Sequence, residues 1–487
     1  MRINMKTSAL LLTSMVALNS FAAAADTPKG DGPSNQDERF HARMEPFLKE
    51  LNLTDEQKPK FLAIQKAMTT KWAEFQKLPA DERKPKQQAF YTARFKELQQ
   101  LLTPEQMAKY RAIRARRTAG ASETPSQNRA SNKRLPNIQL TKVDGRHWLL
   151  GPDGKPFFAH GITHVSNNRA KFDFAKMSEA CKGLGFNSYG YGCPDQLKHD
   201  MPYVESWNHL VPISYYRGKN GIKFVDVFDP KEQARLDAGV KANCFRSLTH
   251  PHNVIGYCWT DLGSWPLDNP SGRNWVDFIR GLPEESPGQK AYQKFLSSWD
   301  GDNETRDQAF LRLIAREYFR VVGGAQRKYD PDHLIFGDRF DFNTFDSDVV
   351  KEMLPYVDGI AIQPPFWAPF PKEKLDEIHR LTGKPIVLCD FAIRFKDGDK
   401  DIRSWKAEKN SVAAGKAYSE YVKAAIDTDY IIGVFWCNPV DTPKGFGKPG
   451  VKQGFFGDGL TERSGLHQAV KELNAYREGL TPEQLDQ

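Results

Sequence analysis

The chain has 487 residues, of which 27% are charged, and its formal net charge is +8. This length exceeds what one ordinary folded core needs, which predicts two domains. The basic residues, for example those within 111–117, are typical of a solvated helical face; attraction to an anionic polymer such as a sulfated glycan is the alternative. Because no nucleic-acid-binding motif accompanies the charge, the sequence argues against a DNA- or RNA-binding protein.

Residues 1–25 have the pattern of a secretory signal peptide. Arg2 and Lys6 supply a positive start, residues 9–17 form a short apolar stretch, and the small residues at 22–25 offer a cleavage site. The apolar stretch is too short to span a bilayer, and no later segment of the sequence is a candidate span. We therefore expect a periplasmic or secreted protein without a membrane span.

Residues 37–118 are predicted to be helical and carry a repeated LTxxQ motif. In its first two copies, Thr54 with Gln57 and Thr103 with Gln106 have the spacing of a capping box at a helix start. A third copy starts at Leu480, in the C-terminal tail (480–487). One apolar helical face is expected to be buried; its positions are Phe61, Ile64, Met68, Trp72 and Phe75.

The LTxxQ segment resembles the periplasmic Spy/CpxP-like helical proteins. That resemblance implies a curved all-α hairpin with a chaperone or stress-sensing role. The alternative is a helical packing or dimerising appendage, so self-association through these helices is an expected interaction. Residues 119–136 are rich in Ser, Ala, Asn and Arg and are predicted to be a linker.

From residue 137 to 479 short apolar, strand-like runs alternate with helical segments. About eight such repeats predict an α/β fold of the TIM (β/α)₈ barrel type, preceded by the all-α helical hairpin domain. A doubly wound open sheet would usually carry a glycine-rich phosphate turn, which the sequence lacks. The strand-like runs are 157–165, 188–192, 202–207, 254–260, 334–338, 359–363, 386–389 and 431–436.

Two of these runs end in aspartate: the fourth at Asp261 and the seventh at Asp390. In a (β/α) barrel the C-terminal strand ends meet at one rim, where the chemistry of such folds takes place. Paired carboxylates flanked by aromatic rings are typical of glycosidic bond cleavage. We therefore predict Asp261 as the acid/base and Asp390 as the nucleophile or general base.

Other polar and aromatic residues near the strand ends are predicted to bind substrate, because sugars offer an apolar face for stacking and a hydroxyl edge for hydrogen bonds. Some have structural alternatives: His160 and His164 as satisfied core histidines, and Asp338 as the partner of Arg339 or a helix cap. Trp436 is predicted as the platform beneath the sugar at the cleavage point. The predicted set is His160, His164, Tyr191, Trp207, Trp259, Asp338, Arg339, Gln363, Trp367, Trp436, Asn438 and Asp441.

The barrel region resembles β-agarase-like enzymes of the large glycoside hydrolase clan whose acid/base follows strand 4 and whose nucleophile follows strand 7. The matching pieces are residues 144–158, 184–188, 255–257, 384–387 and 433–436 with Asp441. The resemblance implies a polysaccharide substrate, specifically a red-algal galactan of the agar, porphyran or carrageenan type.

One departure from that family concerns the acids themselves, which are normally glutamates, the first preceded by asparagine. If Asp261 takes the place of the asparagine, Leu262 stands where the acid should be; if it takes the place of the glutamate, two shorter acids face each other. Each shorter side chain withdraws its carboxylate by about 1–1.5 Å. The wider gap favours a water-mediated inverting route.

The sequence points to neither a cofactor nor a metal. His160, His164, Asp338 and Asp390 are metal-binding residue types, but no HxH or HExxH spacing supports a site. The six cysteines form no CxxC pair and are expected to be mostly buried thiols with at most one disulfide bridge. A Ser-His-Asp hydrolase is disfavoured because no GxSxG motif is present.

The function predicted from sequence is therefore an exported glycoside hydrolase that cleaves a polysaccharide or oligosaccharide with two strand-end carboxylates. Two alternatives remain: a non-catalytic glycan-binding barrel, and a periplasmic chaperone-like protein with an accessory barrel.

Overall fold

The computed structural model divides into two compact units, residues 1–131 and 132–487. In the second unit it describes residues 136–165, 173–206, 222–247, 250–397, 406–441, 452–457 and 460–482. In the first unit it describes residues 47–76 continuously and separate short pieces between positions 40 and 110. The predicted signal peptide, and the predicted linker up to residue 135, lie outside these residues and remain predictions.

The first unit is mostly helical where it is described. Helix α1 spans Gln57–Gln76, and further helical residues lie between positions 82 and 110. Phe61 of the predicted apolar face is fully buried, and it packs in one core with residues that precede it in the chain (40–53) and residues that follow it (98–110). The core of this unit contains Phe40, Met44, Phe47, Leu51, Leu53, Phe61, Leu98, Leu102, Met107 and Tyr110.

Both predicted capping boxes are formed. The backbone N–H of Thr54 donates to Oε1 of Gln57 at 3.0 Å, and the Gln57 N–H donates to the Thr54 hydroxyl oxygen at 3.2 Å. Thr103 and Gln106 repeat the same pair of bonds. The two glutamine side chains also contact each other, with Nε2 of Gln57 3.0 Å from Oε1 of Gln106. The two motifs therefore cap their own helices and join the two helix starts.

The third motif copy behaves differently where it is described. Thr481 ends a helix, because its N–H and its hydroxyl both donate to the carbonyl of Arg477, at 3.1 and 2.9 Å.

The second unit opens with a small antiparallel sheet. Its strands are β1 (Gln139–Val143), β2 (Arg146–Leu150) and β3 (Pro156–Phe157). Asp144 and Gly145, both at positive φ, form the tight turn between β1 and β2.

Eight parallel strands then close into a barrel, which confirms the predicted TIM-type fold. Each strand pairs with its neighbours in chain order, and the last strand closes on the first through Gly433 and Ala159. The barrel strands are β4 (Ala159–Ile162), β5 (Ser188–Tyr189), β6 (Tyr203–Ser206), β7 (Val254–Asp261), β8 (Ile335–Asp341), β9 (Ile360–Gln363), β10 (Ile386–Phe391) and β11 (Ile431–Trp436).

Helices follow most of these strands and cover the barrel. Several begin at a polar cap, as where the Asp173 side chain accepts the N–H of Ala175. The helices are α2 (Phe174–Leu184), α3 (Pro230–Ser247), α4 (Trp275–Arg280), α5 (Pro287–Ser297), α6 (Asn303–Tyr329), α7 (Ser347–Met353), α8 (Lys372–Thr382), α9 (Ser411–Ile426) and α10 (Ser464–Leu480).

Two apolar layers hold the barrel together. The larger lies between strands and helices, and the smaller contains residues such as Ile255, Cys258, Phe336 and Cys389. All six cysteines are free thiols; five are buried and Cys193 is half-buried, as expected. Among the residues described, no helix combines the length and apolar character needed to cross a bilayer.

Candidate functional site

The candidate site begins with the backbone at four C-terminal strand ends. His164, Leu262, Asp390 and Asn438 all have positive φ, between 50° and 66°, although none is glycine. They end or follow β4, β7, β10 and β11. A left-handed backbone costs a residue with a side chain about 1–2 kcal/mol, and such strain collects at functional sites. The C-terminal rim of the barrel therefore has left-handed backbone geometry at four of its strand ends.

Asp261, the last residue of β7, forms an ion pair with Arg339 of β8. The two residues are direct partners in the register between these strands, and a guanidinium nitrogen of Arg339 donates to the Asp261 carboxylate. Both side chains are largely buried, with 14% of Asp261 and 2% of Arg339 exposed. Removing either partner of a buried ion pair leaves an uncompensated charge, so the loss of one of these residues is expected to be strongly destabilising.

Tyr191 connects that ion pair to the opposite side of the rim. The Arg339 guanidinium carbon lies 3.6 Å from the centre of the Tyr191 ring. The Tyr191 hydroxyl lies 3.0 Å from Nε2 of His164. Tyr191 is 4% exposed, and burial raises the pKa of its hydroxyl well above the ordinary value. The hydroxyl is therefore a neutral hydrogen-bonding group.

Asp390, at the end of β10, is held by two residues that follow β4, the strand beyond its neighbour β11. Its Oδ1 accepts the Thr163 hydroxyl at 3.0 Å and lies 3.2 Å from Nε2 of His164. Burial favours the neutral acid, but the charge and hydrogen bond of His164, with the charge of Arg339 and a hydrogen bond from Cys437, outweigh it. The pKa of Asp390 is held well below its usual range, so this carboxylate is ionised at neutral pH.

These contacts form one continuous network, which we call the rim network: Asp261, Arg339, Tyr191, His164 and Asp390. It joins the ends of β7 and β10 through residues that follow or belong to β8, β5 and β4. The side chain of His164 is 31% exposed, so the network reaches solvent. Two carboxylates are therefore held on one partly open rim, an arrangement able to serve acid–base or nucleophilic chemistry on a bound ligand.

All five members of the rim network were predicted as site residues from the sequence. Two of its neighbours were missed: Thr163, which donates to Asp390, and Cys437, which follows β11. Thr163 directly precedes the predicted His164, and its place at the C-terminal end of a strand is the feature of the sequence that indicates a site residue. Cys437 was interpreted only as a core thiol.

Four residues predicted to contact substrate, His160, Trp259, Trp436 and Asp338, have no exposed surface in this structure. The ring nitrogens of His160 lie 2.5 Å from the Tyr418 hydroxyl and 3.3 Å from Oδ1 of Asn474. Burial, with the nearby charge of Arg477, lowers the pKa of His160 to about 3. It is thus the satisfied core histidine of the alternative prediction.

The indole rings of Trp259 and Trp436 are likewise core groups. Trp259 stacks on Phe319 of α6 with ring centres 6.0 Å apart. Trp436 packs edge-on against Phe455 at 4.9 Å, and its Nε1 donates to the Gln453 carbonyl at 2.8 Å. Trp436 therefore offers no platform to a sugar in this structure.

Asp338 points away from the rim network, although it precedes Arg339. Its Oδ2 accepts the indole N–H of Trp265 at 2.7 Å. Burial raises the pKa of Asp338 to about 7. Successive strand residues face opposite sides, which explains why Asp338 and Arg339 could not both reach the site.

The remaining predicted residues lie at strand ends or in loops. Gln363 and Asn438 are half-buried, and Trp367 is 38% exposed beneath Lys406, whose Nζ lies 3.6 Å from the ring centre. Asp441 is engaged by the protein: Oδ1 accepts the Gly454 N–H at 2.8 Å and Oδ2 accepts Arg463 at 2.5 Å. Trp207 lies outside the described residues.

One group of side chains has metal-ligand chemistry. His164, Asp390 and Cys437 each offer one ligand atom, and these atoms lie within 4.8 Å of one another. The sequence shows no CxxC pair and no HxH or HExxH spacing, because these three residues are far apart in the chain.

No protein-family model matches the chain, and no curated protein is similar to it in sequence. Solved structures do share its fold. An agarase, AgWH50C, superposes with a TM-score of 0.59 at 16% identity, covering 78% of this chain and 70% of that one. An exo-β-agarase gives 0.58 at 17% identity, covering 76% and 70%, and BpGH50 gives 0.56 at 16%, covering 74% and 86%. At these identities the similarity establishes a common barrel fold.

Proposed function

We propose that the barrel is a glycoside hydrolase that cleaves a polysaccharide, with Asp261 and Asp390 as its two carboxylates. The observation that carries this proposal is the rim network, which links the acid ending β7 to the acid ending β10. Glycosidic bond hydrolysis requires two carboxyl groups facing one bond. The fold shared with agarases adds support.

The lowered pKa of Asp390 suits one of the two roles considered for it. A general base works best with a pKa near the working pH, whereas a carboxylate that stays ionised can attack or stabilise the positively charged sugar carbon. We therefore favour Asp390 as nucleophile or electrostatic stabiliser over general base. Asp261 then protonates the leaving oxygen, which is the acid/base role predicted for it.

The substrate we propose is a galactan of the red-algal type. This rests on the sequence pieces shared with β-agarase-like enzymes and on the agarases among the similar folds. The exposed Trp367 with Lys406 3.6 Å from its ring would suit a sugar carrying an anionic substituent.

A second candidate function is glycan binding without cleavage. The observation that favours it is the ion pair between Asp261 and Arg339, because a carboxylate committed to a buried guanidinium is poorly placed to act as a proton donor.

The test uses agar, agarose, porphyran and carrageenans incubated with the full-length protein, with new reducing ends and binding measured in parallel. We expect cleavage of at least one galactan, and a loss of roughly 10³-fold or more in Asp390→Asn. Asp332→Asn is the matched control, since Asp332 is exposed and precedes β8, away from the C-terminal strand ends that carry the rim network. Binding of a galactan without new reducing ends would select the second candidate. If the protein neither binds nor cleaves any of these polysaccharides, both candidate functions are refuted.

We further propose that the protein is exported and that residues 1–25 are removed. N-terminal sequencing of the protein from fractionated cells tests this, and a retained Met1 in a cytoplasmic fraction would contradict it.

The LTxxQ unit would accompany the barrel as a packing or self-association module. If the unit instead has a chaperone-like role, the full-length protein should suppress the aggregation of an unfolded client protein. The variant that lacks the residues before Ile138 should then lose this activity.

A further inference from the structure

Three potential metal ligands come together at the ends of adjacent barrel strands. His164 follows β4, Asp390 lies in β10 and Cys437 follows β11, and these strands are consecutive in the closed barrel. Nε2 of His164 lies 3.2 Å from Oδ1 of Asp390, and the Cys437 sulfur is within 4.8 Å of both. The backbone holds this grouping in place, because the Cys437 N–H donates to the Phe391 carbonyl at 2.7 Å.

The donor set has the composition of a zinc site. Nitrogen, oxygen and thiolate sulfur all bind Zn²⁺, with bond lengths of about 2.0–2.3 Å. Two ligand atoms on one tetrahedral zinc ion are then about 3.3–3.7 Å apart. The nitrogen–oxygen distance of 3.2 Å is already close to this value. The Cys437 sulfur, within 4.8 Å of the other two ligand atoms, would have to move closer to reach the same ion. A tetrahedral zinc ion with three protein ligands takes a water molecule as its fourth ligand.

The surrounding charges also permit a cation at this point. Two positive groups act on the site: Arg339, which is paired with Asp261, and Arg394, which interacts with Cys437 and donates to the Gln453 side chain at 3.4 Å. The Asp390 carboxylate, in contrast, is shared among His164, Thr163 and Cys437 and has no lysine or arginine bonded to it in the described part of the chain. Nε2 of His164 would exchange its contacts with the Tyr191 hydroxyl and with Oδ1 of Asp390 for a bond to the ion, which Asp390 would share.

We propose that His164, Asp390 and Cys437 form a binding site for a zinc ion at the barrel rim. As the zinc–sulfur bond forms, the Cys437 thiol releases its proton to the solvent; no bond is oxidised or reduced. The consequence for catalysis rests on the proposed function: a zinc ion on Asp390 withdraws that carboxylate from the sugar, so zinc inhibits hydrolysis and a chelator restores it.

Zinc binding itself is tested without reference to activity. The full-length protein, stripped with EDTA, is titrated with zinc chloride by calorimetry, and with cobalt(II) under anaerobic conditions while the absorption spectrum is followed. We expect a single ion per chain, with the thiolate-to-cobalt charge-transfer band and the visible bands of a tetrahedral site. Cys437→Ser should remove the charge-transfer band, and both Cys437→Ser and His164→Asn should weaken zinc binding at least about 10-fold.

Cys193→Ser is the matched control, because Cys193 is a half-buried thiol outside the rim network and its loss should leave binding unchanged. Circular dichroism and thermal unfolding confirm that each variant is folded, and Cys437→Ala replaces the serine variant if that one is not. The inference is overturned if the protein binds no zinc, or if Cys193→Ser weakens binding as much as Cys437→Ser. Because calorimetry does not need a sugar, a protein without hydrolase activity can still bind zinc and uphold this site.

Discussion

The hydroxyl of Tyr191 and Nε2 of His164 lie 3.0 Å apart, and the same nitrogen lies 3.2 Å from Asp390. Tyr191 thereby orients the histidine that helps to keep Asp390 ionised. The ring of the same tyrosine lies beneath Arg339, the partner of Asp261. One aromatic side chain, two residues beyond the second barrel strand, therefore contacts both halves of the candidate site.

Replacing Tyr191 with phenylalanine should separate these two contacts. Tyr191→Phe keeps the ring under Arg339 but removes the hydroxyl, so we expect a stability loss of only about 1 kcal/mol. Hydrolysis should fall about 10-fold in kcat, equivalent to about 1.4 kcal/mol, because His164 loses its orientation beside Asp390. Urea unfolding and steady-state kinetics measure the two effects. Tyr189→Phe, at the end of β5 and outside the rim network, is the control. An equal loss of kcat there would argue against the role of the Tyr191 hydroxyl.

Breaking the Asp261–Arg339 ion pair should destabilise the barrel strongly. Asp261→Asn leaves a guanidinium that is 2% exposed without its counter-ion, which costs about 3–5 kcal/mol. Asp261→Asn combined with Arg339→Met should cost less than the sum of the single changes, since the double variant leaves no unpaired charge. Urea unfolding of the four proteins provides the cycle.

An exposed ion pair supplies the comparison for that cycle. Asp348 and Lys351 lie 3.2 Å apart with 29% and 48% of their side chains exposed. Asp348→Asn should change the free energy of unfolding by less than about 1 kcal/mol. Additive effects at Asp261 and Arg339 would show that the buried contact is not energetically coupled.

The buried Asp338 should make stability depend on pH. Its pKa is raised by burial to about 7 in the folded protein, against about 3.9 in an unfolded chain. Between these values the folded state binds more protons than the unfolded state, so stability falls as the pH rises from about 4 to 7. Above pH 7 the full cost of an ionised buried carboxylate applies, about 4 kcal/mol. Urea unfolding at pH 5 and pH 8 should show a larger difference for the parent protein than for Asp338→Asn; equal differences would contradict this origin.

The LTxxQ glutamine should contribute more than a helix cap. Gln57→Glu keeps an oxygen to accept the Thr54 N–H, as a capping box allows, but removes the N–H groups that donate to the Leu101 carbonyl at 2.7 Å and to Gln106 at 3.0 Å. We expect about 1–2 kcal/mol less protection of the α1 amides in hydrogen-exchange mass spectrometry of the full chain. Gln100→Glu, at an exposed helical position, is the control and should leave the protection of the α1 amides unchanged. Unchanged protection in Gln57→Glu would show that Gln57 contributes only the helix cap.

Local features of the sequence predicted much of the fold. The two capping boxes depend on residues three apart, and both are formed. The runs ending in Asp261 and Asp390 were recognisable because a buried parallel strand is apolar throughout and then stops at a polar residue. Parallel strands in a closed barrel end at one rim, so placing these acids together needed no distance information.

Other features depend on contacts between distant segments, which a single sequence does not encode in any local pattern. Trp436 ends a strand as a sugar platform would, yet Phe391, Phe455 and Tyr418 enclose it. Asp338 and Arg339 are adjacent, and only the direction of each side chain from the strand decides which one reaches the rim network.

The sequence by itself determined the number and order of the barrel strands and the acids that end two of them, because hydrophobic periodicity and strand-end polarity are local properties of the chain. Only the tertiary structure decided that Arg339 binds Asp261, that Tyr191 links it to His164, and that Cys437 lies beside Asp390. These contacts join residues up to 273 positions apart, from His164 to Cys437. Barrel closure, together with the left-handed backbone at His164 and Asp390, aims their side chains at a common point.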